Sequence, residues 1–138
     1  MDEQAYHLDD QVGFLLRRAS QRHLSVFAEL IPELTTTQFA AIAKLAEEGP
    51  MSQNQLGRMT AMDAATIKGV VGRLVGRRLV VTSASVEDRR RLIVDLTPVG
   101  RALFERVRAQ GFEATRQTLA PLSAADRQRF MALLRQLI

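Results

Sequence analysis

Ser52-Gln53-Asn54-Gln55-Leu56-Gly57-Arg58-Met59, then Thr60-Ala61-Met62, then Asp63-Ala64-Ala65-Thr66-Ile67-Lys68-Gly69-Val70-Val71 is the stretch that decides the fold. Ser52 and Gln55 have the Ser-x-x-Gln spacing of a capping box, which predicts the start of a short helix. Asp63 is a cap for a second helix running to about Arg77. Ile67, Val70, Val71 and Leu74 recur at helical spacing and form its inner face. Two short helices joined by three residues make a helix-turn-helix. Downstream, Leu79-Val80-Val81-Thr82-Ser83 and Leu92-Ile93-Val94-Asp95-Leu96 are β-branched-rich runs of strand length. The polar tip between them carries Glu87-Asp88-Arg89-Arg90-Arg91, and the whole is predicted to be a two-stranded wing.

Upstream, Thr35-Thr36-Thr37-Gln38 repeats the capping-box spacing, with Leu34 as the staple residue. Phe39, Ile42, Ala43, Leu45 and Ala46 then mark a helix that Gly49-Pro50 ends. The first helix is expected from His7 or Leu8 to about Ile31, where Pro32 stops it. Leu8, Val12, Leu15, Leu16, Ala19, Val26, Phe27 and Leu30 fall on one broad stripe of that helix, with His23 in its middle. A stripe this long needs a long partner, and a small domain rarely supplies one. On the C-terminal side, Thr97-Pro98 opens a fifth helix to about Leu119, with Ala102, Leu103, Val107 and Phe112 as apolar contacts. Pro121 breaks it. Ser123 caps a last helix bearing Phe130, Leu133, Leu134 and Leu137.

Composition narrows the function. The 138 residues suffice for one compact domain with helical extensions, and 46% hydrophobic content supports a core. With no cysteine, disulfides, thiolate metal sites and cysteine nucleophiles are excluded. No apolar run reaches the roughly 20 residues of a membrane span. The acidic start, Met1-Asp2-Glu3-Gln4, lacks the order of a signal peptide, so a cytoplasmic protein is expected. The formal charge of +4 is unevenly spread: Arg58 to Arg91 carries eight basic residues against three acids, a net of +5, which leaves −1 elsewhere. A basic segment on a neutral body is the footprint of nucleic-acid binding, or a solvated basic face. His7 and His23 form no metal-ligand cluster, and neither a nucleophile motif nor a phosphate-cradling loop is present. No enzyme, metal or cofactor is expected.

The outer face of the second short helix carries Ala65, Lys68, Gly69, Gly72, Arg73 and Gly76. Three glycines cost roughly 1 kcal/mol each relative to alanine. A face kept bare at that cost serves close approach to DNA or close packing against another helix.

Leu34-Thr35…Gln38-Phe39, Gln55-Leu56, Thr66, Asp88-Arg89-Arg90 and Leu96-Thr97…Gly100 together resemble the multiple-antibiotic-resistance regulator (MarR) family. The likeness is close from about 34 to 100; the flanking helices match in length and order. It implies a mainly α fold with a small β-wing: one winged helix-turn-helix domain over 1–138, with its DNA-binding lobe at 35–96. Residues 1–34 and 97–138 would be N- and C-terminal dimerisation helices, interwoven between two chains. By this resemblance Arg90 enters the minor groove of double-stranded DNA, with Arg89 and Arg91 beside it, and Asp88 pairs with an arginine to fix the wing. Ser52, Gln53 and Asn54 would meet phosphates, and Ala64, Ala65, Thr66, Lys68 and Arg73 would face the major groove of a pseudo-palindromic operator. Two departures stand out. Arg78 occupies a place where the family usually has glycine, so a different turn is expected there. The recognition helix also opens on small residues, which makes direct base readout thin.

Family members commonly release DNA on binding small aromatic or anionic compounds. Gly13-Phe14-Leu15-Leu16-Arg17-Arg18…Gln21-Arg22-His23 is similar to regulators of aromatic-acid breakdown. His23 is the candidate polar contact for such a ligand, with Arg17 and Arg18 as anion partners; the other reading makes His23 a core residue bonded to the facing chain. The expected function is a homodimeric repressor relieved by an aromatic carboxylate or its CoA thioester. An effector-independent architectural DNA-binding protein and a dimeric protein-interaction module are the rivals.

Overall fold

The computed structural model describes residues 4–138; Met1-Asp2-Glu3 of the acidic start lie outside the described residues. A 3-10 turn, Leu8–Asp10, precedes α1 (Val12–Leu30), so the first helix begins later than its apolar stripe predicts. Extended Gln11, at φ −92 and ψ 137, separates the two. Then come α2 (Thr36–Glu48), β1 (Met51–Ser52), α3 (Gln53–Met59), α4 (Ala64–Gly76), β2 (Val80–Ala84), β3 (Leu92–Leu96), α5 (Pro98–Thr118) and α6 (Ala124–Arg135).

The expected two-stranded wing is a three-stranded antiparallel sheet in the order β1-β3-β2. Met51 pairs with Val94 and Ser52 with Ile93, while β2 runs from Val80 opposite Leu96 to Ala84 opposite Leu92. The added strand is only two residues long and continues directly into α3, which hides it from periodicity.

The described chain forms two compact units. One is 31–109, the other the residues up to Leu30 with Gln110–Ile138. In the first, α2 carries the full capping box: the Gln38 N–H donates to Thr35 Oγ1 at 3.2 Å, and the Thr35 N–H donates to Gln38 Oε1 at 3.1 Å. Ile42, Leu45, Leu56, Ile67, Leu74 and Val94 have almost no exposed surface and form its core. Gly57 sets the closeness of α3 to α4, since a Cβ there would lie 3.0 Å from Ile67 Cγ2 and 3.2 Å from the Met62 carbonyl oxygen.

The end of α4 is tied to the start of α5. Thr97 Oγ1 donates to the Arg78 carbonyl at 2.7 Å and accepts from the Gly100 N–H at 3.0 Å, so one hydroxyl links a turn to a helix cap. A Cβ on Gly100 would collide with the Leu79 carbonyl. Arg78 itself adopts the left-handed conformation, φ 60, that glycine takes most easily. The different turn expected from the missing glycine is therefore not needed: arginine bears the strain instead.

In the other unit, Phe27 and Ala114 are buried while Leu15, Leu24, Leu133 and Leu137 are exposed. Phe112, expected as an apolar contact, is 73% exposed, and Ala102 of the other unit is exposed too. The buried line of α5 runs Leu103, Val107, Ala114; Phe112 lies about 140° round the helix from Val107 at ~100° per residue. Among the described residues no helix is long and apolar enough to cross a membrane.

Candidate nucleic-acid interface and ligand cavity

Asp63 starts α4 by accepting the Thr66 N–H at 2.7 Å. That bond holds its carboxyl below the ordinary carboxylate range. The sign follows: the cap contributes fully above the unfolded carboxylate's range and is lost as pH falls through the lowered value. With Ile67, Val70, Val71 and Leu74 buried, Ala64, Ala65, Thr66, Lys68 and Arg73 are left exposed on the outside. Among the described residues nothing lies within 4 Å of a Cβ built on Gly72 or Gly76, and Gly69 faces only Arg73 of its own helix. Among the described residues no other helix packs on the bare face.

The wing tip is closed by local bonds. Asp88 Oδ1 accepts the Arg90 N–H at 3.0 Å and Nε at 3.4 Å. The Ser85 N–H donates to the Arg91 carbonyl at 2.9 Å, and the Arg91 N–H to the Asp88 carbonyl at 3.0 Å. The arginine paired with Asp88 is thus Arg90, whose side chain remains 94% exposed. Arg89 and Arg91 are exposed as well.

Because β1 pairs with β3, the start of α3 and the wing are neighbours. Ser52, Gln53, Asn54, Arg90, Arg91 and Leu92 line one cleft of about 80 Å³. Sequence reasoning placed these residues in two separate contacts, and the pairing of Ser52 with Ile93 joins them. Ser52 is buried and its hydroxyl accepts the Gln55 N–H at 3.2 Å. Gln55 does not reciprocate as Gln38 does for α2, so this cap is single. Asn54 is exposed and Gln53 half-buried beside it.

The helical unit holds a cavity of about 350 Å³, at the small end of the ~300–1,000 Å³ usual for ligand sites. Leu16, Leu119, Phe130, Met131 and Leu134 form its apolar wall; Ser20, His23, Thr115 and Thr118 are its polar groups. His23 Nδ1 lies 2.9 Å from Thr118 Oγ1, and its ring is tilted against Phe27 at 6.1 Å. Of the three residues expected to meet a ligand, only His23 reaches this cavity; Arg17 and Arg18 are exposed and outside its lining. Arg22 donates to the Gln117 carbonyl at 2.9 Å and the Thr118 carbonyl at 3.2 Å, closing the C-terminal end of α5. Arg127 does the same for the following turn, donating to the Leu122 and Ala120 carbonyls. Glu113 is held down to about 2 by hydrogen bonds first from Arg116, then from Gln117. Thr118 and Thr115 escaped sequence reasoning, because a threonine some 95 residues from His23 leaves no local signal, whereas Ser20, three residues before His23 on the same helix, could have been found from helical spacing.

A helix-turn-helix with an exposed basic second helix, beside an arginine-tipped wing, defines a winged-helix transcription regulator. The MarR family profile matches residues 33–91. Over the whole chain there is 39% identity, across 140 residues and 89% of the relative, to the HTH-type transcriptional repressor NicR of Pseudomonas putida. This chain belongs to the MarR family. A crystal structure of a probable transcriptional regulator from Pseudomonas aeruginosa is 54% identical, with a TM-score of 0.92, covering 96% of this chain and all of that one. BpsR of Bordetella bronchiseptica, whose DNA binding is regulated by 6-hydroxynicotinic acid, is 40% identical, with a TM-score of 0.92 over 97% of each chain.

Proposed function

We propose that this protein is a homodimeric repressor, released from its operator by a small aromatic carboxylate. The observation that carries the DNA-binding half is the shared cleft of Gln53, Asn54, Arg90 and Arg91. A single sheet holds the wing and the start of α3 in fixed register, so one duplex can meet both. In this reading Arg90 enters the minor groove with Arg89 and Arg91 on flanking phosphates. Gln53 and Asn54 take phosphates at α3, and buried Ser52 fixes where that helix begins. Ala64, Ala65, Thr66, Lys68 and Arg73 face the major groove, and the uncovered glycines of α4 let its backbone approach closely. Asp88 holds the tip.

NicR, a transcriptional repressor, supports the repressor half, and BpsR, whose DNA binding is regulated by 6-hydroxynicotinic acid, supports the effector half. A cavity of about 350 Å³ suits a single ring with its substituents, and a CoA moiety would have to lie outside it. The free acid is therefore the better candidate than its thioester. His23 and the hydroxyls of Ser20, Thr115 and Thr118 would orient it, and Arg17 and Arg18 would draw anions to the unit from outside. The exposed leucines of α1 and α6 would be covered by a second copy.

The test is binding of the full-length protein to promoter and random DNA at fixed salt, with and without 6-hydroxynicotinate. A regulator should prefer its operator by about 10³-fold or more and lose it to the acid. Uniform affinity for all DNA would make it an architectural protein, and no DNA binding at low salt would make it a protein-interaction module.

A further inference from the structure

Of the basic side chains between Arg58 and Arg91, Arg77 is the one that, among the described residues, bonds a distant part of the chain. Its Nη1 donates to the Glu33 carbonyl at 2.7 Å and to Gln38 Oε1 at 3.4 Å. Both acceptors are fixed points. Glu33 lies between Ile31 and Leu34, which are buried, and buried Gln38 closes the capping box of α2 with Thr35. Arg77 itself is the C-terminal cap of α4. There the Leu79 N–H donates to the Leu74 carbonyl at 3.0 Å and the Arg78 N–H to the Val75 carbonyl at 2.9 Å. These are the two bonds of a Schellman turn, with Arg78 in its left-handed position. Thr97 holds the same turn: its N–H donates to the Leu79 carbonyl at 3.1 Å and its hydroxyl to the Arg78 carbonyl.

We propose that Arg77 is a positioning residue for α4, not a phosphate contact: it ties the C-terminal end of the recognition helix to the start of α2 and so sets how that helix meets DNA. The proposal rests on the DNA-binding reading above and adds a residue that its contacts do not include. α4 needs such a tie. Gly69, Gly72 and Gly76 weaken it as a helix, and among the described residues no other helix packs on its outer face. The tie is also a firm one. A main-chain carbonyl on a buried segment cannot swing away as an exposed carboxylate can, and a charged donor strengthens the bond. Reading base edges in the major groove needs hydrogen-bonding groups held in close register. Attraction to phosphates tolerates a shift of the helix. A loosened α4 therefore loses discrimination between sequences before it loses affinity for DNA in general.

The test measures binding of the full-length protein to promoter and random DNA over a range of salt. Arg77→Met keeps most of the stem and removes the donors. Its preference for promoter over random DNA should fall about tenfold, while the slope of affinity against salt stays within about half a unit of wild type. Arg77→Lys restores a charged donor and should bring the preference back to within about threefold of wild type. Amide exchange at Arg78 and Leu79 should quicken in Arg77→Met, and that of Ile67, bonded to the Asp63 carbonyl at the other end of α4, should not. If Arg77→Met does not fold, Arg77→Gln takes its place with the same expected results. A salt slope lower by about one, with both DNAs weakened alike, would overturn the proposal and make Arg77 a phosphate contact. A lower melting temperature with the preference unchanged would overturn it too, leaving the bond a matter of stability alone. So would a lysine variant no better than the methionine one. A wild-type protein with no preference for promoter DNA would overturn the DNA-binding reading itself.

Discussion

The two units of this chain bury their apolar side chains very differently. All of those that are buried, except Phe27 and Ala114, belong to 31–109, where α2, α3, α4 and the sheet enclose a core. In the other unit Tyr6, Leu8, Val12, Leu15, Leu16, Leu24, Phe112, Phe130, Leu133 and Leu137 all keep more than a third of their surface exposed. The same composition thus serves two ends. The winged unit is finished inside by its own contacts; Met59, Val75, Val81, Val86, Leu92 and Val99 stay exposed on an outer face that is otherwise polar and basic. The helical unit is not finished by its own contacts, and the second copy proposed above would cover its exposed apolar side chains. Its cavity and its leucines share α1 and α6, so sensing and assembly would draw on one pair of helices.

The largest expected effect comes from attacking the unfinished unit. Leu24→Asp combined with Leu133→Asp would place unpaired carboxylates in a buried dimer interface, at about 3–5 kcal/mol for such a charge. Light scattering across a concentration series should then show a dimer becoming a monomer at micromolar protein, with operator affinity falling because two half-sites are no longer linked. A wild-type protein that is already monomeric there would remove the second copy as the explanation of this surface.

The finished unit has its own weak point. Gly100→Ala drives a Cβ into the Leu79 carbonyl, and neither backbone can move without disturbing the Thr97 bonds to Arg78 and Gly100. A loss of about 2–3 kcal/mol in urea unfolding is expected, in the range of overpacking against a rigid neighbour. Stability within about 0.5 kcal/mol of wild type would mean that the junction between α4 and α5 is softer than its hydrogen bonds imply.

DNA contacts at the same unit's surface follow. Arg90→Ala is expected to cost about 1–3 kcal/mol of operator affinity, most on A·T-rich flanks where a narrow minor groove concentrates negative potential. Asp88→Ala should give a weaker version, because it loosens the tip and leaves the guanidinium in place. If Lys68 meets a phosphate at the groove's edge rather than a base, Lys68→Ala should weaken all sequences alike and lower the salt slope by about one. Binding to operators varied only in their flanks separates these. Equal losses for Arg90→Ala on both kinds of flank would make it a phosphate contact.

Legibility in the sequence divided along physical lines. Features made by residues three apart were readable: Thr35 with Gln38, Ser52 with Gln55, Asp63 with Thr66. The closed wing tip was equally local, since Asp88 and Arg90 are two apart. The buried face of α4 was readable from period alone. What escaped was made by long separation. β1 is two residues long and exists only because Val94 and Ile93 lie opposite Met51 and Ser52. The partner of His23 is 95 residues away. Apolar periodicity also marked Phe112, but it cannot say whether a stripe is buried within one chain or left exposed on it.

The smallest effect tests the winged unit's two non-glycine residues in the left-handed region. Arg78 sits at φ 60 at the end of α4, and Ala61 sits at φ 56 in the turn before it. A residue with a Cβ gives up about 1–2 kcal/mol in that region. Part of the gain from glycine is offset because glycine frees the unfolded chain. Arg78→Gly should therefore stabilise by only about 0.5–1 kcal/mol. The Arg78 carbonyl still accepts from Thr97 in the variant, so the junction itself is untouched. Ala61→Gly should gain a similar amount, which provides a control without charge. If both glycine variants melt higher while Arg78→Gly alone loses affinity for DNA of every sequence, then Arg78 holds its strained turn for a phosphate. If Arg78→Gly melts lower, the side chain has a folding role that its exposure does not reveal, and strain is the wrong account of the position.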